Sequence, residues 1–214
     1  MKIQTLTVGA FQENAYLVID EEVGRAALVD PGAEGERLVA AVRASGAQLD
    51  AIWVTHGHVD HVGGIAALKR AFDVPVYLHP LEEPLYRAAV QHGLVFGLRV
   101  EEPPLPDRAL GDGDVLHLGS LTFRVMHVPG HAPGHVVLHG HGVAFVGDCL
   151  FAGSIGRTDL PLASAVHLAK SLERICTLDD ETVVYPGHGP ATTIGRERMS
   201  NPFLNGSVRI AGTW

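Results

Sequence analysis

Cysteine is scarce in this sequence: Cys149 and Cys176 are the whole supply in 214 residues. Two thiols allow at most one bridge, and neither belongs to a Cys-x-x-Cys pair, so a disulfide framework is excluded and a reducing, cytoplasmic setting is expected. Long apolar runs are missing too. No stretch approaches the roughly 18 uninterrupted apolar residues of a membrane span, and the start, MKIQTLTVGAFQENAY, lacks the basic and apolar regions of a signal peptide. Positive charge is in deficit, with 16 Lys and Arg against 24 Asp and Glu and a net charge of -8. That balance argues against a nucleic-acid or anionic-membrane partner and leaves a small molecule as the expected one. Repeats and low-complexity segments are also lacking. With 46% hydrophobic and 19% charged residues, the chain can bury one large core, and residues 1–214 read as a single domain.

Histidine is what the sequence has in excess, 13 in all. A histidine is often a surface residue without a role, so only placement gives these meaning.

Short apolar runs supply the frame. Ile3 to Val8, Ala15 to Ile19 and Ala26 to Val29 read as strands, the last stopped by Asp30-Pro31-Gly32. Leu38 and Val42 share a helical face within Glu34 to Ala44, with Gly46 suited to the left-handed residue after it. Ala51 to Val54 is apolar without alternation, as a strand buried on both faces must be. Ile65, Leu68 and Phe72 mark a second helix, Pro75 to Leu78 a short strand, and Leu81 to Val90 a third helix. From Gln91 to Gly113, glycines and Pro103-Pro104-Leu105-Pro106 predict an irregular loop that is either a pocket wall or a plain connector. Two hairpins follow, Val115 to Leu118 with Leu121 to Val128, and Val136 to Leu138 with Val143 to Val146. A helix through Leu168, Leu172 and Ile175 and a strand from Thr182 to Tyr185 complete an α/β pattern of two sheets with helices outside.

The chemistry starts where the strand Ala51 to Val54 ends. His56-Gly57-His58-Val59-Asp60-His61 puts three imidazoles and a carboxylate within six residues. Donors of this hardness suit zinc, iron or manganese. On a loop, His56 and His58 reach one ion, while Asp60 and His61, on the first turn of the next helix, reach another. Pro129-Gly130-His131, Gly147-Asp148 and Pro186-Gly187-His188 repeat one form, a Gly- or Pro-rich turn after an apolar strand. Alone, each is an ordinary turn. Together with the first motif they supply five histidines and two aspartates, enough for two ions with three ligands each and one shared.

At this point the motifs THGHVDH, PGHAPGH, GDCLF, GSIGRTDLP and YPGHGP resemble those of the metallo-β-lactamase superfamily, and within it those of short bacterial glyoxalase II-like hydrolases. The likeness runs from Gln12-Glu13-Asn14 to about Asn201-Pro202-Phe203. It implies an αββα sandwich of two mixed sheets. It also implies a first metal on His56, His58 and His131, a second on Asp60, His61 and His188, and Asp148 between them, with zinc the expected ion. His135 is not a ligand in that family. Full-length glyoxalase II enzymes carry a C-terminal helical domain that binds glutathione, whereas only residues 189–214 follow His188 here, so that clamp is not carried over.

Two cations sharing a water bring hydroxide within reach of neutral pH, with Asp60 and Asp148 expected to hold and orient it. A thiolate, with a free pKa of about 8.5, leaves with little help, whereas an amide nitrogen must be protonated. The motifs hold no acid apart from the ligands, which favours thioesters, or activated esters and lactones, over β-lactams. Arg157 is a candidate for a substrate carboxylate, against an internal pair with Asp159. Asp30 either holds a metal ligand from behind or is simply a turn residue, and Cys149 reads as a small buried residue. The rival activity on the same fold is persulfide dioxygenase, with one iron on His56, His131 and Asp148. A non-catalytic metal-binding protein is a third reading.

Overall fold

A strand buried on both faces needs cover on both, and the strand Glu13–Asp20, buried along its whole length, shows what supplies it. Ala15, Leu17 and Ile19 join one apolar cluster with Leu38, Val42, Ile65 and Leu68. The alternate residues Tyr16 and Val18 face the other way, into a cluster with Phe123, Val125, Leu138 and Phe145.

The computed structural model describes residues 1–210. Its first half contains β1 (Lys2–Val8), β2 (Glu13–Asp20), β3 (Arg25–Val29), α1 (Gly35–Ser45), β4 (Gln48–Trp53), α2 (Val59–Val62), α3 (Ile65–Ala71), β5 (Val76–Leu78), α4 (Glu83–Arg87), α5 (Ala89–Val95) and β6 (Arg108–Ala109). The second half continues with β7 (Val115–Leu118), β8 (Leu121–His127), β9 (Val136–Gly140), β10 (Val143–Gly147), β11 (Leu150–Phe151), β12 (Ser154–Ile155), α6 (Ala165–Ile175), β13 (Val183–Pro186), β14 (Thr192–Thr193) and α7 (Ile194–Ser200).

The first six strands form one sheet in chain order, antiparallel from β1 to β3 and parallel from β3 to β6. The second sheet runs β14-β13-β10-β9-β8-β7, with only β10 and β13 parallel. Between the sheets, Trp53 meets Phe123 edge to face at 5.5 Å, and Tyr16 meets Phe145 at 5.4 Å. Outside the second sheet, Met126, Val137, Ala144, Val146 and Val184 pack with Leu168, Leu172 and Ile175 of α6 and Ile194 of α7. Helix, sheet, sheet and helix are therefore joined by three separate apolar layers, which is the αββα sandwich.

Two expectations are corrected. Gln91 to Gly113 is not wholly irregular, because α5 runs on to Val95 and β6 adds an edge pair beside Tyr77 and Leu78. Gly93, which argued against a helix, sits where a Cβ would come within 2.9 Å of Val100 Cγ2, so the helix needs its smallness for packing. The helix expected through Leu81 to Val90 is divided into a 3₁₀ turn at Pro80–Glu82, α4 and α5. Among the described residues, no helix is long and apolar enough to cross a membrane.

Candidate metal centre

The segments carrying the histidine motifs follow β4, β8, β10 and β13, and backbone hydrogen bonds draw them to one edge of the sandwich. Val136 N–H donates to the Thr55 carbonyl (2.9 Å), joining the sheets, and Gly187 N–H donates to the Gly147 carbonyl (2.8 Å). The approach is close enough to demand glycine. A Cβ on Gly187 would lie 2.3 Å from Asp148 Oδ1, and Gly147 has φ 47° with Thr55 Oγ1 2.4 Å from where a Cβ would stand.

All seven residues come together. His56, His58 and His131 form one group, and Asp60, His61 and His188 another, the ligand atoms within each lying no more than 4.8 Å apart. Asp148 stands between them: Oδ1 is 3.4 Å from His61 Nε2, while Oδ2 is 3.6 Å from both His131 Nε2 and His188 Nε2. His56 and His61 also group with Asp30, but Asp30 is occupied elsewhere, accepting from Thr55 N–H (2.7 Å) and Thr55 Oγ1 (2.6 Å).

Four of the imidazoles are tied from outside by their Nδ1 atoms. His56 meets Thr55 Oγ1 (3.0 Å), His61 meets Asp30 Oδ2 (3.0 Å), His131 meets the Arg157 carbonyl (2.9 Å) and His188 meets the Phe11 carbonyl (3.1 Å). That leaves each Nε2 facing the centre. His58 points Nδ1 inward instead, 2.9 Å from His131 Nε2. His56 Nε2, His61 Nε2 and Asp148 Oδ1 are buried with no hydrogen-bond partner. Leaving such atoms unpaired costs about 1–3 kcal/mol each, and cations at the centre of these donors would satisfy all three. The residues fit a pair of divalent ions.

The two groups differ electrostatically. Burial, reinforced by neighbouring imidazoles, holds His56 well below the ordinary histidine range and brings His58 down to about 3. Burial lowers His131 as well, against the pull of Asp148. At His61 burial acts in the same sense, but Asp148 and Asp30 outweigh it and raise the imidazole well above its usual value. His188 is likewise raised, its bond to Asp60 overcoming burial. Asp148 is kept ionised, the charge of His61 overcoming burial.

Residues with no motif complete the frame. The Glu82 side chain is fully buried and accepts from Gly57 N–H (2.7 Å) through one oxygen and Gly134 N–H (2.5 Å) through the other, clasping two of the ligand-bearing loops. Burial pushes its carboxyl up to about 7 against those two donors. His135 accepts from Asp148 N–H (3.1 Å) and stacks on His56 with ring centres 4.7 Å apart. Glu13 is buried with both oxygens unpaired, 3.9 Å from His61 Nδ1, and burial raises its carboxyl well above the usual range. Arg157 pairs its guanidinium in two parallel bonds of 2.7 Å with Asp159, so what it gives the centre is its carbonyl. Cys149 is fully buried beside Val128 and His135.

The centre opens into a cavity of about 790 Å³. His58, Asp60, His131, Asp148 and His188 line it, together with apolar residues from α5 and from the segment at Leu160 to Leu162. His92 and Val95 of the expected loop contribute to its wall.

This arrangement of two sheets and a five-histidine, two-aspartate edge supports a metal-dependent hydrolase. Residues 8–188 match the model of the metallo-beta-lactamase superfamily, and the chain belongs to that family. It is 40% identical over 210 residues to the hydroxyacylglutathione hydrolase GloC of Haemophilus influenzae, covering 96% of this chain and 99% of that one. Among solved structures it resembles TTHA1623 in a di-iron-bound form, with a TM-score of 0.88 and 48% identity over 94% of this chain and 100% of that one. It also resembles the B3 metallo-beta-lactamase BLEG-1, with a TM-score of 0.89 and 36% identity over 95% and 99%.

Proposed function

We propose that the protein is a dinuclear metal-dependent thioester hydrolase of the hydroxyacylglutathione hydrolase type. The observation that carries this reading is the pair of three-residue groups with Asp148 between them, tied from behind and opening on a substrate-sized cavity. His56, His58 and His131 would hold one ion, Asp60, His61 and His188 the other, and Asp148 both. Divalent cations so held lower the pKa of water from about 15.7 towards 7 and polarise a carbonyl. The donors suit zinc, iron or manganese, and the likeness to a di-iron protein keeps iron beside zinc.

Asp148 and Asp60 line the cavity, where they would hold and orient the attacking water. They are the carboxylates among the described lining residues, and both belong to the ligand groups. A leaving group that needs no dedicated carboxylic acid therefore suits the site best, which favours a thiolate over an amine. The likeness to GloC agrees with this choice.

The test is turnover by metal-loaded protein of a lactoyl-glutathione thioester, a β-lactam and glutathione persulfide, the last followed by oxygen consumption. Thioester hydrolysis with two metal equivalents is expected. Oxygen uptake with one iron equivalent, and no thioester turnover, would replace this reading with the dioxygenase.

A further inference from the structure

The cavity changes character as it leaves the candidate ligands. Leu85, Phe96, Phe151, Ile155, Leu160 and Leu162 are among its walls. At its mouth Val95, Phe96 and Leu162 are 79%, 59% and 60% exposed, though apolar residues of that size gain by burial. Phe96 is braced edge to face against Phe11 at 5.1 Å, so this lip is built and not a loose side chain. The lip draws on both halves of the chain, from the end of α5 and from the segment before α6. The lining holds little for a charged peptide to grip. Arg157 is the one Lys or Arg among the described residues of the cavity, and Asp159 takes both arms of its guanidinium.

We infer that the cavity binds an apolar group, alkyl or aryl, carried by the thioester on the side away from the reacting carbon, so that selectivity follows hydrocarbon size and not a peptide carrier. This rests on the thioester reading above. Apolar walls give about fourfold in catalytic efficiency for each methylene they remove from water, and that gain ends when the cavity is full.

Two substrate series on the full, metal-loaded chain test the inference and locate the group. One lengthens the acyl chain from acetyl to butanoyl to hexanoyl on N-acetylcysteamine. The other keeps acetyl and lengthens the thiol from ethanethiol to hexanethiol. kcat/KM is expected to rise about fourfold per methylene in one of the series, which identifies the side that enters the cavity. Phe96→Ser and Leu162→Ser should each bring the ratio of longest to shortest substrate several-fold nearer to one. Calorimetry gives a readout apart from turnover: the hexyl thioether of N-acetylcysteamine should bind the loaded protein with a negative heat-capacity change, more weakly in Leu162→Ser. Flat profiles in both series, with the acetyl thioesters still hydrolysed, would overturn the apolar site and leave the hydrolase reading standing. No turnover of any thioester by protein carrying two metals would overturn both.

Discussion

Asp30 and His61 face each other beneath the centre, Asp30 Oδ2 lying 3.0 Å from His61 Nδ1. Asp30 holds this position at φ 48°, in the left-handed region that non-glycine residues seldom adopt, and it is buried. A strained residue persists where its surroundings over-determine it, and here the two bonds from Thr55 and the one to His61 do so. The carboxylate fixes which nitrogen of His61 carries the proton, leaving Nε2 to face Asp148 at 3.4 Å. Asp30→Asn keeps an acceptor for Thr55 but can turn an amide donor towards His61. The expected outcome is a 10- to 100-fold loss of affinity for one of two metal equivalents, read by competition with a chromophoric chelator. Unchanged affinity for both equivalents would remove this role.

Acid should empty the two groups in order. Binding at Asp60, His61 and His188 must displace protons that the neighbouring carboxylates hold tightly, since both imidazoles are raised. His56, His58 and His131 are all lowered by burial, so fewer protons compete with a metal there. As pH falls below the usual histidine value of about 6.5, one metal equivalent should therefore leave before the other. Metal content after dialysis across pH 8 to 4 measures this, and loss of both ions in a single step would contradict it.

Glu82 offers a stability test that needs no substrate. Its folded pKa of about 7 stands above the ordinary 4.5, so the folded state binds the proton more tightly than the unfolded one. The stabilisation this gives is complete below the unfolded pKa and is lost as pH rises through the folded one. Glu82→Gln removes the titration and replaces an acceptor facing Gly57 or Gly134 with a donor. Its destabilisation relative to the parent should be larger at acid pH than at pH 8, by up to about 3 kcal/mol. Urea unfolding at the two pH values gives the comparison, and an equal difference at both would show that the carboxyl keeps an ordinary pKa.

His58→Ala and Asp60→Asn should each lower thioester kcat/KM by at least about 1,000-fold, or roughly 4 kcal/mol, while the circular dichroism spectrum is retained. Both side chains lie at the cavity floor, outside the three apolar layers. Near-parental turnover in either variant would sink the ligand assignment.

Much of this was legible in the sequence because the polar groups with chemistry sit beside Gly and Pro at strand ends, where periodicity stops and motifs start. THGHVDH, PGH, GD and YPGHGP mark the four segments that meet. The pieces left unread are those with only tertiary causes. Glu82 stands next to Glu83 with no motif around it, yet its side chain is turned inward to clasp Gly57 and Gly134. Glu13 opens β2 beside Asn14 with no local signal for its burial. The two-residue strands β11, β12 and β14 are too short to leave a period, and α5 is obscured by a glycine that serves packing against Val100.

An early and a late segment of the chain meet beside His188. Asn14 N–H donates to the Gly187 carbonyl, the Asn14 amide donates to the carbonyls of Pro186 and Gly189, and the Tyr16 hydroxyl donates to Pro186 at 2.5 Å. These contacts span 170 to 175 residues of sequence, so they form only by closing a very long stretch of chain. The three-histidine group has all its members once residue 131 has left the ribosome, whereas the other waits for residue 188. Assembling the second group therefore closes the longer loop of chain, and the start of β2 at Asn14 lacks these partners until it does.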